Sequence, residues 1–184
     1  MMKPYKRAVF LDRDGTLIED MGYLKNPDGV RLLPGCGVAL AALQRNGFLL
    51  VLVSNQSGIG RGWLTRDEVE RVHERVVSLL AEHGARFDAV YYCPHGPEEG
   101  CACRKPAPGM LLQAARELEI DLRTSFLVGD KPSDIEAGHR AGCRTVLLGV
   151  DPKFPPTVFR VRPHYTARDW QEVLQYILGS QERA

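Results

Sequence analysis

Apolar residues along this chain gather in short unbroken runs separated by amphipathic stretches, a pattern that reads as strands alternating with helices. The runs Val9-Phe10-Leu11, Leu49-Leu50-Val51-Leu52-Val53 and Phe126-Leu127-Val128 contain no polar alternation. Such strands need cover on both faces, as in a parallel sheet held between two layers of helix. The pattern predicts strands over 7–12, 48–54, 87–93, 125–130 and 145–149. Between and after them it predicts helices over 37–46, 66–84, 108–119, 133–141 and 168–178. The resulting architecture is α/β, a doubly wound, Rossmann-like three-layer sandwich with a mostly parallel sheet. The proline-rich stretch 151–163 reads as a loop within one domain, 1–184, because no repeat or low-complexity tract divides the chain.

Composition narrows the function classes. With 184 residues, 44% of them hydrophobic and 26% charged, the chain can bury one well-formed core. Its 24 Lys and Arg nearly cancel its 23 Asp and Glu, leaving a net charge of +1. No strong field therefore favours nucleic acid or an anionic membrane, and the expected partner is a small molecule met by a monomer. The apolar run 8–11 is too short for a secretory leader and ends at Asp12. No run approaches the ~20 residues that span a bilayer, so the expected location is the cytoplasm.

In a parallel sheet, ligands bind outside the carboxyl ends of the strands. The runs stop at Asp12-Arg13-Asp14-Gly15-Thr16, at Ser54-Asn55-Gln56, and at Gly129-Asp130-Lys131-Pro132-Ser133-Asp134, while Cys103-Arg104-Lys105-Pro106 follows the third predicted strand. Asp12 and Asp14 are two apart, which on an extended segment places both carboxylates on one side. Close carboxylates are tolerable when a divalent cation sits between them or one holds a proton. Hard oxygen ligands of this kind suit Mg²⁺, and Asp130 can complete its site. Ser54 and Lys105 supply a hydroxyl and a cation suited to phosphoryl oxygens.

A second metal-binding pattern lies in the loop 93–103. Cys93, His95, Cys101 and Cys103 offer four soft or imidazole ligands within eleven positions, the number that a tetrahedral structural zinc takes. Four protein ligands leave no open position for chemistry, so this zinc is expected to shape the neighbouring Arg104 and Lys105 indirectly. Cys36 and Cys143 read as small core residues.

Taken in order, DRDGT, SNQ, the lysine of CRKP and GDKPSD resemble the four motifs of the haloacid dehalogenase-like superfamily of phosphatases, over about residues 7–149. The resemblance implies that Asp12 attacks phosphorus and becomes an aspartyl phosphate, while Asp14 protonates the leaving alcohol and then activates water. It implies that Ser54 and Lys105 bind the phosphoryl group. Asp130 and the backbone carbonyl of Asp14 would join Asp12 on Mg²⁺, and Asp134 would orient Lys105 or a metal-bound water. The short span between Asp12 and Ser54 leaves no room for the cap domain that many members carry. Together with that missing cap, CPHG…CACRKP and SNQSGIGRG resemble the D-glycero-D-manno-heptose 1,7-bisphosphate phosphatases and the related histidinol-phosphate phosphatases. In the former, the C7 phosphate is removed on the way to nucleotide-activated heptose for surface glycans such as lipopolysaccharide. This resemblance makes Asn55 and Arg104 candidates for gripping substrate, with Arg61 and the loop 22–27 closing over the sugar.

Other features carry less. Residues 58–62 are glycine-rich without dinucleotide-binding spacing and read as a mobile substrate loop. His73, His83, His139 and His164 are expected in surface or capping roles, and Arg160, Arg162 and His164 on a solvated face. A phosphotransferase or mutase, and a zinc-binding interaction module without catalysis, are the rival classes.

Overall fold

The structure, a computed structural model, describes residues 5–149 and 153–180. Six strands form one sheet: β1 (Arg7–Leu11), β2 (Phe48–Asn55), β3 (Ala89–Cys93), β4 (Phe126–Gly129), β5 (Arg144–Leu148) and β6 (Tyr165–Ala167). Their order is β3-β2-β1-β4-β5-β6, and every paired neighbour runs parallel. Five helices connect or follow them: α1 (Cys36–Arg45), α2 (Arg66–Ala81), α3 (Gly109–Leu118), α4 (Pro132–Ala141) and α5 (Trp170–Gly179).

The period-two alternation of the central strands sorts the core into two layers. Val9 and Leu11 of β1, with Leu50 and Leu52 of β2, pack against Leu40 of α1, Val72 and Val76 of α2 and Trp170 of α5. Ala8 and Phe10, with Val51 and Val53, turn the other way onto Met110 and Leu111 of α3 and Ala137 of α4. Covered on both faces, the strands need no polar side, which is the physical reason for their unbroken apolar runs. Local signals fix the helix starts. Thr65 and Glu68 form a reciprocal capping box on α2, and the Asp169 side chain accepts from Glu172 N at the start of α5.

The observed elements match the expected ones to within a few residues. Helix α2 ends at Ala81, short of Gly84, and β3 begins at Ala89 instead of Phe87. The sixth strand was not foreseen, because three residues are too few to show a period. Within the expected loop 151–163, Pro156–Val158 forms a single 3-10 turn, and residues 150–152 lie outside the described set, as do 1–4 and 181–184. Between β1 and β2 the chain builds only a 3-10 turn, Pro27–Gly29, and α1, with no cap domain. No helix among the described residues is long and apolar enough to cross a membrane.

Candidate active site and metal centre

β1 lies at the middle of the sheet, where the chain crosses to β2 on one side and pairs with β4 on the other, so its carboxyl end opens onto the crevice between diverging connections. Asp12 is the first residue beyond that strand, and its backbone N–H still reaches Val128 O at 3.1 Å. The backbone then turns at Gly15, where φ is +86° and a Cβ would collide with the Asp130 carboxylate. Only glycine lets the two acidic segments approach this closely.

Lys105 arrives from the third crossover and is 2% exposed. Its ammonium lies 2.6 Å from Asp12 Oδ1 and 2.6 Å from Asp134 Oδ1. Burial alone would lower the lysine's pKa, but the Asp12 and Asp134 carboxylates outweigh it and raise the value, so the ammonium stays charged. Asp134 is itself fixed because Lys131 N donates to its Oδ2 at 3.0 Å. The same carboxylate pairs with the Lys105 ammonium through Oδ1. Asn55 holds the lysine's backbone from both sides, accepting from Lys105 N at 3.0 Å and donating to Lys105 O at 2.9 Å. Asn55 thus positions the Lys105 backbone.

Asp14 has a separate set of partners. Arg13 Nε donates to its Oδ2 at 3.1 Å, Arg13 Nη2 to Oδ1 at 3.1 Å, and Gln56 Nε2 to Oδ2 at 3.0 Å. Gln56 also donates to Ser54 Oγ at 2.8 Å and accepts from Arg13 Nη2 at 3.1 Å. Burial raises the Asp14 pKa, Arg13 opposes that rise, and the neighbouring Asp12 adds to it. A carboxyl biased toward its protonated form is suited to general-acid work.

Asp12, Asp130 and Asp134 offer carboxylate oxygens all within 4.8 Å of one another. In the metal-free protein Asp130 is pushed up to about 7, first by burial and then by Asp12. Crowded carboxylates that resist ionisation are what a hard divalent cation relieves, so the donor set fits Mg²⁺. The Asp14 carboxylate is engaged elsewhere, and its backbone carbonyl receives only a 3.5 Å contact from Lys131 Nζ. Thr16 Oγ1 donates to Asp130 Oδ1 at 3.3 Å.

The second centre also fits its metal. Cys93 and Cys103 sulfurs are 3.1 Å apart, Cys101 and Cys103 3.4 Å, Cys93 and Cys101 3.5 Å, and His95 Nδ1 is 3.3 Å from Cys103 Sγ. These separations approach the edges of a tetrahedron with Zn–S bonds of about 2.3 Å and Zn–N bonds of about 2.0 Å. Gln56 N donates to Cys93 O and Gly60 N to Pro94 O, both at 2.8 Å, so the cysteine loop is joined to the loop after β2.

The groove beside Lys105, about 480 Å³ in volume, is lined by Asn55, Cys101, Arg104, Ser133 and Arg140 among others. Arg104 thus borders the site, with Nη1 donating to His95 O at 3.4 Å. Arg61 instead lies over the Trp63 ring at 4.9 Å, and Trp63 meets Tyr23 of the 22–27 loop edge-on at 4.7 Å.

One expectation changes: His73 is buried, 6% exposed, on the inner side of α2. Residues 58–62 carry backbone bonds from Ile59 N to Gln56 O and Arg61 N to Ser57 O. Arg160, Arg162 and His164 are exposed, as expected of a solvated face, and His164 stacks on His139 at 4.6 Å and accepts from Thr145 N. Arg13, Gln56, Thr16 and Lys131 were not foreseen as site residues. Each lies inside a quoted motif, but each has at least one partner far away in sequence: Arg13 bonds Gln56, Gln56 bonds Asp14, Thr16 bonds Asp130 and Lys131 contacts Asp14 O.

The HAD-hydrolase-like family model matches residues 102–172. The chain is 48% identical over 149 residues to a D-glycero-beta-D-manno-heptose-1,7-bisphosphate 7-phosphatase of Pasteurella multocida, covering 78% of this chain and 81% of that protein. The Haemophilus ducreyi protein of the same name is 46% identical over 78% of this chain and 82% of its own length. Among solved structures, the D,D-heptose 1,7-bisphosphate phosphatase of B. bronchiseptica, complexed with magnesium and phosphate, superposes with a TM-score of 0.87 at 35% identity, covering 95% of this chain and 99% of that one.

Proposed function

The chain belongs to the haloacid dehalogenase-like phosphatases, within the family of the heptose bisphosphate phosphatases, and from that membership we propose that it removes the C7 phosphate of D-glycero-D-manno-heptose 1,7-bisphosphate. Heptose 1-phosphate is the product, a precursor of nucleotide-activated heptose. The observation that carries the reading is the division of labour between the two aspartates, Asp12 held by Lys105 and Asp14 by Arg13 and Gln56.

Asp12 attacks phosphorus, and the bond to the C7 oxygen breaks. Asp14 gives its proton to the departing alkoxide, which leaves as the alcohol. The Asp14 carboxylate then takes a proton from water, whose oxygen attacks the aspartyl phosphate and releases inorganic phosphate and free Asp12. Lys105 and Ser54 bind the phosphoryl oxygens, where charge is spread in the transition state. Asp12, Asp130 and the Asp14 carbonyl would hold Mg²⁺, which would supply further neutralising charge. Cys93, His95, Cys101 and Cys103 would hold zinc, which would fix the loop that delivers Arg104 and Lys105.

Arg104 borders the groove and meets the sugar or its retained phosphate, while Arg61, stacked over Trp63, closes over the sugar with the 22–27 loop. With no cap over the site, a bisphosphorylated sugar has room to enter. The 184 residues act as one domain. Phosphate release measured on both anomers of the heptose bisphosphate and on histidinol phosphate tests the reading, the β anomer first because it is in the relatives' names. Preferential turnover of histidinol phosphate would overturn it.

A further inference from the structure

Two buried side-chain atoms among the described residues have no hydrogen-bond partner: Arg13 Nη1 and His73 Nε2. Their chemistry is complementary. A guanidinium N–H can only donate, and the other nitrogens of Arg13 are already engaged by Asp14 and Gln56. The His73 imidazole is packed against Tyr92, with ring centroids 5.4 Å apart, and follows Val69 and Val72 on the apolar stripe of α2. Burial, assisted by the Arg13 charge, pushes its pKa down to about 3. The ring is therefore neutral, with one nitrogen able to accept.

A buried donor and a buried acceptor, each costly when left alone, satisfy one another if joined. Ser54 pairs with Tyr92 in the sheet, so the ring against which His73 packs stands beside the Ser54–Gln56–Arg13 cluster, and one water can join a donor and an acceptor that each lack a partner. We infer that His73 Nε2 accepts the Arg13 Nη1 proton through one buried water, which makes His73 the positioning residue that aims Arg13, and through it Asp14, at the leaving group. A chain then runs from α2 to the acid: His73, water, Arg13, Asp14. Gln56 closes it onto Ser54.

The inference rests on the acid role given to Asp14. It predicts an effect on proton delivery and none on substrate capture. In the magnesium-loaded enzyme, His73→Leu removes the acceptor and His73→Gln retains one. For the sugar bisphosphate, His73→Leu should lower kcat about tenfold with KM unchanged, and for an aryl phosphate, whose leaving group hardly needs a proton, less than about twofold. His73→Gln should recover most of the loss. An equal fall on both substrates, or no recovery with Gln, overturns the inference. Imidazole ¹⁵N shifts of the wild-type protein give a test that requires no variant to fold. They should show a neutral ring with its proton on Nδ1, and a proton on Nε2 overturns the inference. Failure of the wild-type enzyme on heptose bisphosphate would count against the substrate assignment alone, and the leaving-group comparison would then use whichever sugar phosphate is hydrolysed.

Discussion

The Lys105 ammonium lies 2.6 Å from the Asp12 carboxylate, and both groups are almost wholly removed from solvent. A cation locked against the proposed nucleophile provides a charge ready for the incoming phosphoryl group. Lys105→Met would keep much of the side-chain volume while leaving Asp12 and Asp134 facing each other without their counter-ion. Turnover should fall by on the order of 10²–10³, as for loss of a principal charge-stabilising donor. Steady-state kinetics check this, and activity within a few-fold of wild type would contradict it.

Asp14 and Asp12 have different partners, so their replacements should have different signatures. Asp12→Asn should abolish formation of the phosphoenzyme for every substrate. Asp14→Asn should slow phosphorylation by sugar phosphates far more than by aryl phosphates, since only the alkoxide requires protonation. Single-turnover measurements with both leaving groups separate the two cases, and an equal loss would remove Asp14 from the acid role.

Magnesium affinity should depend on pH near neutrality. In the metal-free protein Asp130 sits at about 7, raised by burial and then by Asp12, and it must be ionised to bind a cation. A raised carboxyl holds its proton below that value, so protons compete with the metal on the acid side and cease to compete above it. The apparent Kd for Mg²⁺ should rise about tenfold for each pH unit below 7 and level off above 8. Calorimetric titrations at three pH values test this, and a constant Kd would refute it.

The two metals should also separate on chelation. A tetrahedral thiolate and imidazole site binds zinc with on the order of 10–16 kcal/mol in small peptides, whereas carboxylate-held Mg²⁺ exchanges readily. Mild EDTA should remove magnesium and leave one zinc per chain by elemental analysis. Cys101→Ser should loosen the 93–103 loop, displace Arg104 and Lys105, and lower both substrate affinity and turnover. The sheet should stay folded, because the layer on α1, α2 and α5 holds none of the loop's cysteines, which pack only against the other layer. Protein without zinc, or a Cys101→Ser variant with unchanged kinetics, would contradict the assignment.

Much of this was legible in the sequence because the central strands have a single reading. Val9-Phe10-Leu11 and Leu49 to Val53 are apolar on both faces, which selects a covered parallel sheet, and a parallel sheet selects its carboxyl edge as the site. The cluster of Cys93, His95, Cys101 and Cys103 was legible because these residues are close in sequence. Gln56 and His73 were not, since each acquires its role from a partner that folding delivers, and Arg13 gained notice only when Gln56 was brought beside it. The signal for His73 was nonetheless present: with Val69, Val72 and Val76 it falls on the i, i+4 spacing of a buried stripe. β6 escaped because Tyr165–Ala167 is short, with Thr166 exposed.

The two-layer sorting of β1 has a consequence for how the protein can evolve. Ala8, Val9, Phe10 and Leu11 are all fully buried, odd-numbered residues in one layer and even-numbered in the other. A slip of one residue against β2 or β4 would exchange the two sets and misfit both layers at once. Asp12 follows immediately, so the same slip would carry it out of the crevice. The large penalty for disturbing the core therefore also acts as a proofreading device for the nucleophile. Side chains in these strands can be exchanged for others of similar bulk over long divergence, but an insertion or deletion within 7–12 should eliminate folding and catalysis together, leaving no stable inactive intermediate for selection to retain.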